Sequence, residues 1–225
     1  MIVNHPFVKK ILALIHPYYL FKYKTNIVLS RIRYSGAFPM RLEDSWVVKT
    51  SISFFGNNHE IIGNNCHLHN SEILLQGEGH RLIIEKNVQL FNVRIIIKGK
   101  NNTVFIGKGT TFGGGDIIHG GENLSIHFGE NCLIANGVGF WSTDTHSIMI
   151  KGGGPEPLNK PSSIFIGNHV WIGKDATVLK GVRIGDDAVI GMKALVTKDI
   201  APETINVGIP THPVRKGVTW SRVEP

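Results

Sequence analysis

The chain has 225 residues, including 26 glycines, with a charged fraction of 18% and a formal net charge of +7. A chain of this length can form one domain with a substantial core, and this composition favours a turn-rich β-architecture. Seven of the 24 Lys and Arg residues precede Glu43 with no acidic residue among them, and the remaining 17 balance the 17 acidic residues. We expect no nucleic-acid binding, because this charge does not follow a groove-sized face and no recognition motif accompanies it.

Residues 1–40 form a basic amphipathic arm whose aliphatic and aromatic side chains run from Phe7 to Phe21. This composition is typical of a segment that lies on an anionic membrane surface, and packing on a neighbouring subunit explains it equally well. His16 and Pro17 interrupt the apolar stretch, which falls short of the roughly 18–20 residues that a membrane-spanning helix needs. We expect a cytoplasmic protein, and the arm leaves open a peripheral position on the inner face of the cytoplasmic membrane.

Residues 41–200 are predicted to form a left-handed parallel β-helix, an all-β fold in which three hexads make one triangular coil. In the central part of the chain, apolar residues recur with a 22-residue period, so that four residues bulge at one corner of each coil. The predicted inward columns are Ile62, Ile84, Ile106 and Phe128; Leu68, Leu90, Phe112 and Ile134; and Leu74, Ile96, Ile118 and Phe140.

The two cysteines fit the same period. Cys66 and Cys132 are separated by three 22-residue repeats and therefore occupy the same inward position. At about 4.8 Å per coil they lie ~14 Å apart, which is too far for a disulfide bond. We predict two buried structural thiols, as is typical of a protein in a reducing compartment.

From residue 166 to residue 196 the repeat is strict, with an aliphatic residue at every sixth position. Glycine follows most of these positions, and a small or β-branched residue lies four places after each aliphatic. The aliphatic positions are Ile166, Ile172, Val178, Ile184, Ile190 and Val196. Six consecutive steps in phase identify a hexapeptide β-helix. Residues 201–225 form a short tail outside the repeat.

The repeat is interrupted between Phe128 and Ile166, where an inserted loop occupies about residues 144–163. A loop of this length inside a regular solenoid is usually functional. Asp144 and His146 lie at its start, and alternate residues of an extended segment face the same side. An imidazole can remove a proton from a hydroxyl or an amine, and a nearby carboxylate can fix its tautomer. We therefore predict that both residues are catalytic.

Four motifs surround this loop: D-T-H-S-I at 144–148, V-W-I-G at 170–173, V-L-K-G-V-R-I-G at 178–185 and G-I-P at 208–210. In combination they resemble the hexapeptide-repeat acyltransferases, over about residues 128–216. The chain looks most like the branch that O-acetylates sugars of cell-surface polysaccharides. The resemblance implies a homotrimer with active sites in clefts between neighbouring β-helices. It also implies acetyl-coenzyme A as the donor and a saccharide as the acceptor. The charge of the arm suggests that this saccharide is lipid-linked if the arm lies on a membrane.

The resemblance also assigns roles to individual residues. It implies that His146 acts as the general base and that Trp171 lies beside the thioester and the pantetheine arm. The other positions that match the coenzyme site are Gly173, Lys174, Met192, Thr197, Lys198 and Arg215. The chain departs from the family pattern at Met192 and Lys193, where the family has small residues, so the contact with the coenzyme is altered there.

The sequence is also compatible with other functions. An N-acetyltransferase that acts on a nucleotide-linked amino sugar would use the same base and donor. A non-catalytic β-helix scaffold explains the repeats, but not the loop together with His146 and Trp171. The gamma-class carbonic anhydrases share the fold and bind zinc through histidines five residues apart, a spacing that this sequence lacks. The H-x-H pair of His67 and His69 offers two ligands without a third, so we expect no metal.

Overall fold

A computed structural model describes residues 24–34 and 39–224. Within these residues there are 25 strands and no helix. In chain order the strands are β1 (Asn26–Val28), β2 (Arg31–Arg33), β3 (Met40–Glu43), β4 (Trp46–Val48), β5 (Ser51–Asn57), β6 (Glu60–Asn64), β7 (His67–His69), β8 (Glu72–Glu78), β9 (Arg81–Ile84), β10 (Gln89–Phe91), β11 (Val93–Lys100), β12 (Thr103–Ile106), β13 (Thr111–Phe112), β14 (Gly115–His119), β15 (Ser125–Phe128), β16 (Leu133–Ile134), β17 (Val138–Trp141), β18 (Ile164–Ile166), β19 (Trp171–Ile172), β20 (Thr177–Leu179), β21 (Arg183–Ile184), β22 (Val189–Ile190), β23 (Leu195–Val196), β24 (Thr204–Val207) and β25 (His212–Lys216).

The strands form three sheets that are the sides of a triangular solenoid. Sheet A has the order β1-β4-β7-β10-β13-β16-β19-β22-β24-β25, sheet B β2-β5-β8-β11-β14-β17-β20-β23, and sheet C β21-β18-β15-β12-β9-β6-β3. Neighbouring strands belong to successive coils and pair in parallel, as β8 and β11 do; the exception is the antiparallel pair β24 and β25. The predicted all-β parallel β-helix is confirmed.

Two of the predicted inward columns are largely correct. In sheet A, Leu68, Leu90, Phe112 and Ile134 are aligned and buried. In sheet C, the column from Ile84 to Ile184 is likewise aligned and buried. These residues form one continuous apolar core along the solenoid axis.

Ile62 was wrongly predicted to face inward. Its register partner is Ile83, and Gly63 takes the inward position beside Ile84. Gly63 fits because a Cβ there would lie 2.8 Å from a side-chain carbon of Leu42 and 3.0 Å from Cys66 Sγ. The coil between these residues is one residue shorter than the 22-residue period, which shifts the phase.

The third predicted column, in sheet B, was wrong at Leu74 and Ile96, whereas Phe140 is fully buried in the core as predicted. Val93 is buried at the start of β11, so the alternation of an extended strand places Ile95 and Ile97 inward and Ile96 outward. The same phase holds in β8, where Leu74 faces outward between two buried neighbours. Leu74 and Ile96 are half-buried and contribute to an outer apolar strip on sheet B rather than to the core.

The ends of the repeat differ from the predicted boundaries. Strands β1 and β2 already pair with β4 and β5, so the β-helix includes residues upstream of position 41. Beyond residue 200, β24 still extends sheet A before β25 returns along it. Most of the basic arm, with its apolar stretch, lies outside the described residues. Among residues 24–34 and 39–224 there is no helix long and apolar enough to cross a membrane.

The two cysteines are free and buried, as predicted. Cys66 and Cys132 each have no exposed surface, and burial raises the pKa of each thiol to about 11. A thiolate is the reactive form of cysteine, so a thiol with this pKa is inert at neutral pH. Both residues therefore act as part of the apolar core.

A column of buried imidazoles lies at the corner between sheets B and C. His59 and His80 stack with ring centroids 5.1 Å apart, and His119 is buried two coils further on. The rings of His59 and His80 span the corner in the same way, each between a carbonyl four residues earlier and a backbone N–H of the next coil. Nδ1 of His80 accepts the Asn102 backbone N–H at 3.2 Å, and Nε2 donates to the Gln76 carbonyl at 3.0 Å. This arrangement requires the neutral ring.

Asn102 performs the same task in the next coil without a titratable group. Its Oδ1 accepts the Leu124 backbone N–H at 3.0 Å, and its Nδ2 donates to the Lys98 carbonyl at 2.8 Å. The column thus contains a natural model for replacing histidine by asparagine. Burial lowers the pKa of His80 and lowers that of His119 to about 4.

We predict that the free energy of unfolding decreases as pH falls from about 6.5 to about 4. In this window the unfolded chain binds protons that the buried rings do not, at up to ~1.4 kcal/mol per pH unit for each ring. His80→Asn should make this dependence less steep, because asparagine provides the same two bonds at every pH. Urea unfolding at several pH values measures the slope.

The exposed His67 provides the matched control. His67→Asn removes an imidazole of sheet A that faces solvent and should leave the slope as in the wild type. Equal slopes for His80→Asn and the wild type would contradict the assignment of the acid sensitivity to this column.

Candidate active site

The inserted loop leaves the β-helix at the corner between sheets B and C. No strand interrupts residues 142–163, between β17 and β18. Ser142 is fully buried, and its carbonyl accepts the Ser162 backbone N–H at 3.0 Å, which closes the base of the loop. Its hydroxyl accepts the Gly120 N–H at 3.1 Å and lies 2.7 Å from Nδ1 of His119. The histidine column therefore ends at the point where the loop begins.

Asn159 holds the two legs of the loop together. Its Nδ2 donates to Oδ2 of Asp144 at 2.7 Å and to the carbonyl of His146 at 2.8 Å. Its Oδ1 accepts the backbone N–H of Ile148 at 2.7 Å. The Leu158 N–H donates to the Ile148 carbonyl at 2.8 Å and adds a backbone contact beside it. One side-chain amide thus fixes the backbone on both sides of His146.

Asp144 forms an ion pair with Lys180, which lies at the same corner one coil further on. Lys180 Nζ also donates to the carbonyl of Asn159 at 3.1 Å. The hydrogen bonds from Lys180 and Asn159 lower the pKa of Asp144, so its carboxylate is ionised at neutral pH. Lys180 therefore ties the start and the end of the loop to the β-helix.

The structure gives Asp144 and His146 different partners from those expected. The carboxylate of Asp144 is engaged by Lys180 and Asn159, whereas Nδ1 of His146 lies 3.0 Å from Oγ1 of Thr145. Asp144 thus holds the loop and does not fix the histidine tautomer. Thr145 has a φ of 63°, a conformation that is rare for a β-branched residue. This strained turn presents His146 at the exposed side of the loop.

A second group of predicted residues lies on sheet A and at its corner with sheet B. Trp171 faces outward from β19 and is 40% exposed. Gly173 and Lys174 follow at the corner, with Met192 on the next coil. A Cβ on Gly173 would lie 2.7 Å from the backbone nitrogen of Met192, so only glycine lets these coils approach. Trp171 and Met192 are exposed apolar side chains, and Lys174 is an exposed cation.

The remaining predicted residues are distributed over other parts of the fold. Thr197 and Lys198 follow β23 at the corner between sheets B and C, where Lys180 also lies. Arg215 is exposed on β25, opposite Ile205. Within one chain the loop with His146 thus leaves the corner between sheets B and C, whereas Trp171 lies on sheet A.

Two residues of this site were not identified from the sequence. Lys180 occupies a hexad position that carries no pattern constraint, and Asn159 lies in a loop rich in glycine and proline. They reach Asp144 across 36 and 15 positions of sequence. No periodic pattern in the sequence marks either residue.

Among residues 24–34 and 39–224, no group of three or more His, Cys, Asp and Glu side chains could hold a metal ion. His67 and His69 pair with neighbouring strands of sheet A.

The sequence model of the family described as "Bacterial transferase hexapeptide (six repeats)" matches residues 163–198, the part of the chain where the hexads are strict. The chain carries the bacterial transferase hexapeptide repeat. Its predicted resemblance to the hexapeptide-repeat acyltransferases is confirmed, because curated relatives and structural neighbours of this repeat protein are acetyltransferases.

Curated relatives match the repeat protein over a short region. The chloramphenicol acetyltransferase of Morganella morganii is 51% identical over 61 residues, which are 27% of this chain and 29% of the relative. The galactoside O-acetyltransferase of Escherichia coli K12 is 47% identical over 53 residues, 24% of this chain and 26% of the relative. The matches thus span less than a third of the length of these relatives.

Solved structures match the repeat protein over most of its length. The polysialic acid O-acetyltransferase OatWY superimposes with a TM-score of 0.75 at 28% identity, covering 89% of this chain and 92% of that chain. The polySia-specific acetyltransferase NeuO has a TM-score of 0.75 at 24% identity, covering 89% and 87%. The likeness to NeuO concerns the fold.

We predict that Asn159→Ala loosens the loop without weakening the β-helix. The Ile148 amide loses its acceptor, so its hydrogen exchange should accelerate at least ~10-fold, equivalent to about 1.4 kcal/mol. Lys180→Met should have the same direction of effect, because it releases Asp144 and the Asn159 carbonyl. Hydrogen–deuterium exchange with peptide resolution measures both, and urea unfolding tests the β-helix.

Lys160→Met is the matched control in the same loop. It removes an exposed ion pair with Glu156, 2.6 Å long, that touches neither Asp144 nor His146. Equal acceleration in Lys160→Met and Asn159→Ala would show that the loop responds to any change and that Asn159 has no special role.

Proposed function

We propose that the protein is an acetyltransferase that moves an acetyl group from acetyl-coenzyme A to a hydroxyl group of a saccharide. The observation that carries this proposal is the position of His146. It is exposed on the long inserted loop of an acetyltransferase-type β-helix, and Asn159 and Lys180 hold that loop in place. The similarity to OatWY over 89% of the chain supports transfer to a saccharide oxygen. The D-T-H-S-I motif at residues 144–148, which resembles that of the polysaccharide O-acetyltransferases, supports the same reaction.

His146 acts as the general base in this proposal. A hydrogen bond from its Nδ1–H to Thr145 Oγ1, 3.0 Å away, would leave the lone pair on Nε2. Nε2 then removes the proton of the acceptor hydroxyl as the oxygen attacks the acyl carbon. The proton returns from His146 to the leaving sulfur. No enzyme nucleophile is needed, and the buried thiols of Cys66 and Cys132 are not available as one.

The surface around Trp171 suits the donor. Bound acetyl-coenzyme A supplies the acyl group as an activated thioester. The exposed side chains of Trp171 and Met192 would hold its apolar arm, and the exposed cation Lys174 can bind its phosphates. Lys198 and Arg215 are exposed cations on other parts of the fold, and the family resemblance assigns them to the same ligand. These residues bind and orient the donor, whereas His146 carries out the proton transfer.

A homotrimer would complete the site. The loop with His146 leaves the corner between sheets B and C, and Trp171 lies on sheet A, so His146 of one subunit would act beside Trp171 of the next in a closed ring. The loop also exposes Ile148, Met149, Ile150 and Leu158, which are 45–62% exposed. Large apolar side chains gathered in this way are typical of a surface that packs on another subunit. The outer strip of sheet B, with Leu74, Ile96 and Trp141, offers a second apolar contact.

The acceptor in this proposal belongs to a cell-surface polysaccharide. The relatives named above include a polysialic acid O-acetyltransferase and a galactoside O-acetyltransferase, both acting on sugars. We place the reaction in the cytoplasm, at the membrane face if the basic arm binds anionic lipid and the acceptor is lipid-linked.

His146→Ala is expected to lower kcat by at least ~100-fold, because the acceptor hydroxyl loses its base. Coenzyme binding, measured by calorimetry, should be unchanged. Release of the coenzyme thiol with saccharide acceptors measures turnover, and His67→Ala, which removes an exposed histidine of sheet A, is the control. Near-normal turnover of His146→Ala would refute the assignment of the base.

Subunit complementation tests whether the site lies between two copies. His146→Ala and Trp171→Ala should each be inactive alone, whereas random trimers of the two should recover about a quarter of the wild-type activity. In such trimers one interface in four combines an intact His146 with an intact Trp171. No recovery in verified mixed trimers would place both residues of a working site in one chain.

A further inference from the structure

The C-terminal residues Val218–Arg222, here called the C-terminal strap, run back along the corner between sheets C and A. Successive residues of the strap contact successive coils. The Val218 N–H donates to the Glu203 carbonyl at 3.1 Å, and Thr219 Oγ1 donates to Oδ1 of Asp187 at 2.7 Å. The strap thus descends the solenoid one coil at a time.

Trp220 reaches the next coil and is the only large apolar residue of the strap that is buried. Its Nε1 donates to the carbonyl of His169 at 2.6 Å, and its ring stacks on the His169 ring at 4.4 Å and 9°. The ring is 9% exposed, although it does not belong to the apolar core inside the β-helix. Trp220 is therefore held on the outside of the solenoid by specific contacts.

Arg222 fixes the far end of the strap. Its guanidinium donates to Oγ1 of Thr111 at 3.1 Å and to the carbonyl of Cys132 at 3.0 Å. It also lies 5.7 Å from the centre of the Trp220 ring. With Thr219 bound to Asp187 on the other side, Trp220 is anchored from both directions.

Trp171 lies directly beside this anchored ring. The two indoles are 6.1 Å apart between centroids and tilted by 46°. Trp171 is otherwise an outward side chain of a short strand, 40% exposed. Trp220 therefore supplies a fixed apolar wall on one side of Trp171 and restricts the rotamers that the Trp171 indole can adopt.

We propose that the C-terminal strap positions Trp171 for the donor, with Trp220 as a positioning residue. This inference rests on the proposed function, because it takes Trp171 as part of the donor site. A ring that is ordered before binding loses less conformational entropy when the ligand arrives, so preorganisation raises affinity. The strap acts on donor binding and leaves the proton transfer by His146 unaffected.

The test compares Trp220→Ala, Trp220→Phe and wild type as full-length proteins. Trp220→Ala should raise the Kd for coenzyme A and the KM for acetyl-coenzyme A between about 3- and 10-fold, the effect of losing an aromatic pair. The kcat at saturating donor should stay within about 2-fold, because His146 is unchanged. Trp220→Phe keeps a ring and should recover most of the affinity.

A spectroscopic readout follows Trp171 itself. In protein labelled with 5-fluorotryptophan, the Trp171 resonance is assigned with Trp171→Phe and should shift and broaden in Trp220→Ala. Arg222→Ala should change it in the same direction, since it frees the strap without altering the ring. Val223→Ala is the control, because this side chain is 81% exposed just beyond the strap.

The outcomes separate the two proposals. A wild-type protein that does not bind coenzyme A overturns the donor assignment and with it the proposed function. A wild-type protein that binds coenzyme A with the same Kd as Trp220→Ala, with an unchanged Trp171 resonance, overturns the strap proposal alone.

Discussion

The rest of the structure depends on the stacking of coils at their corners. Each coil is hydrogen-bonded to the previous one, so a corner can turn only where the corner below it also turns. Left-handed residues therefore recur in columns: Asn65 and Asn87 have φ values of 45° and 63°, and their side-chain amides are joined at 2.6 Å. A single unsuitable residue would break the backbone pairing of two neighbouring coils. The backbone conformation of each corner thus constrains the conformation of the corner in the next coil.

The same constraint explains how polar groups are tolerated inside. A corner exposes backbone N–H groups to the apolar core, where an unpaired donor is costly. His80 and Asn102 each satisfy one such donor and bridge back to a carbonyl four residues earlier. The column reaches His119 and then Ser142, where the loop leaves the solenoid. The loop therefore starts from a corner that is fully hydrogen-bonded, which gives it a fixed point of departure.

The fold was readable from the sequence wherever every sixth residue faced inward, as from Ile166 to Val196. It was misread at Leu74 and Ile96, because the long strands of sheet B shift the alternation by one residue. His146 was found because it lies where the repeat is interrupted. Its supports Asn159 and Lys180 were not, since a hydrogen bond across 15 or 36 positions leaves no periodic trace. Trp220 was missed for the same reason, 51 positions from His169.

A rigid solenoid also limits where a site can be built. The inward positions are apolar and the sides are flat, so reactive groups must come from a loop, a corner or the chain end. This chain uses all three: His146 on the loop, Lys174 and Met192 at a corner, and Trp220 on the strap. The β-helix fixes each group separately, with the loop at the corner between sheets B and C and Trp171 on sheet A. In the proposed trimer, the contact between subunits brings the loop of one copy to the Trp171 surface of the next. Changes to the loop or the strap leave the coils, which carry the stability, untouched.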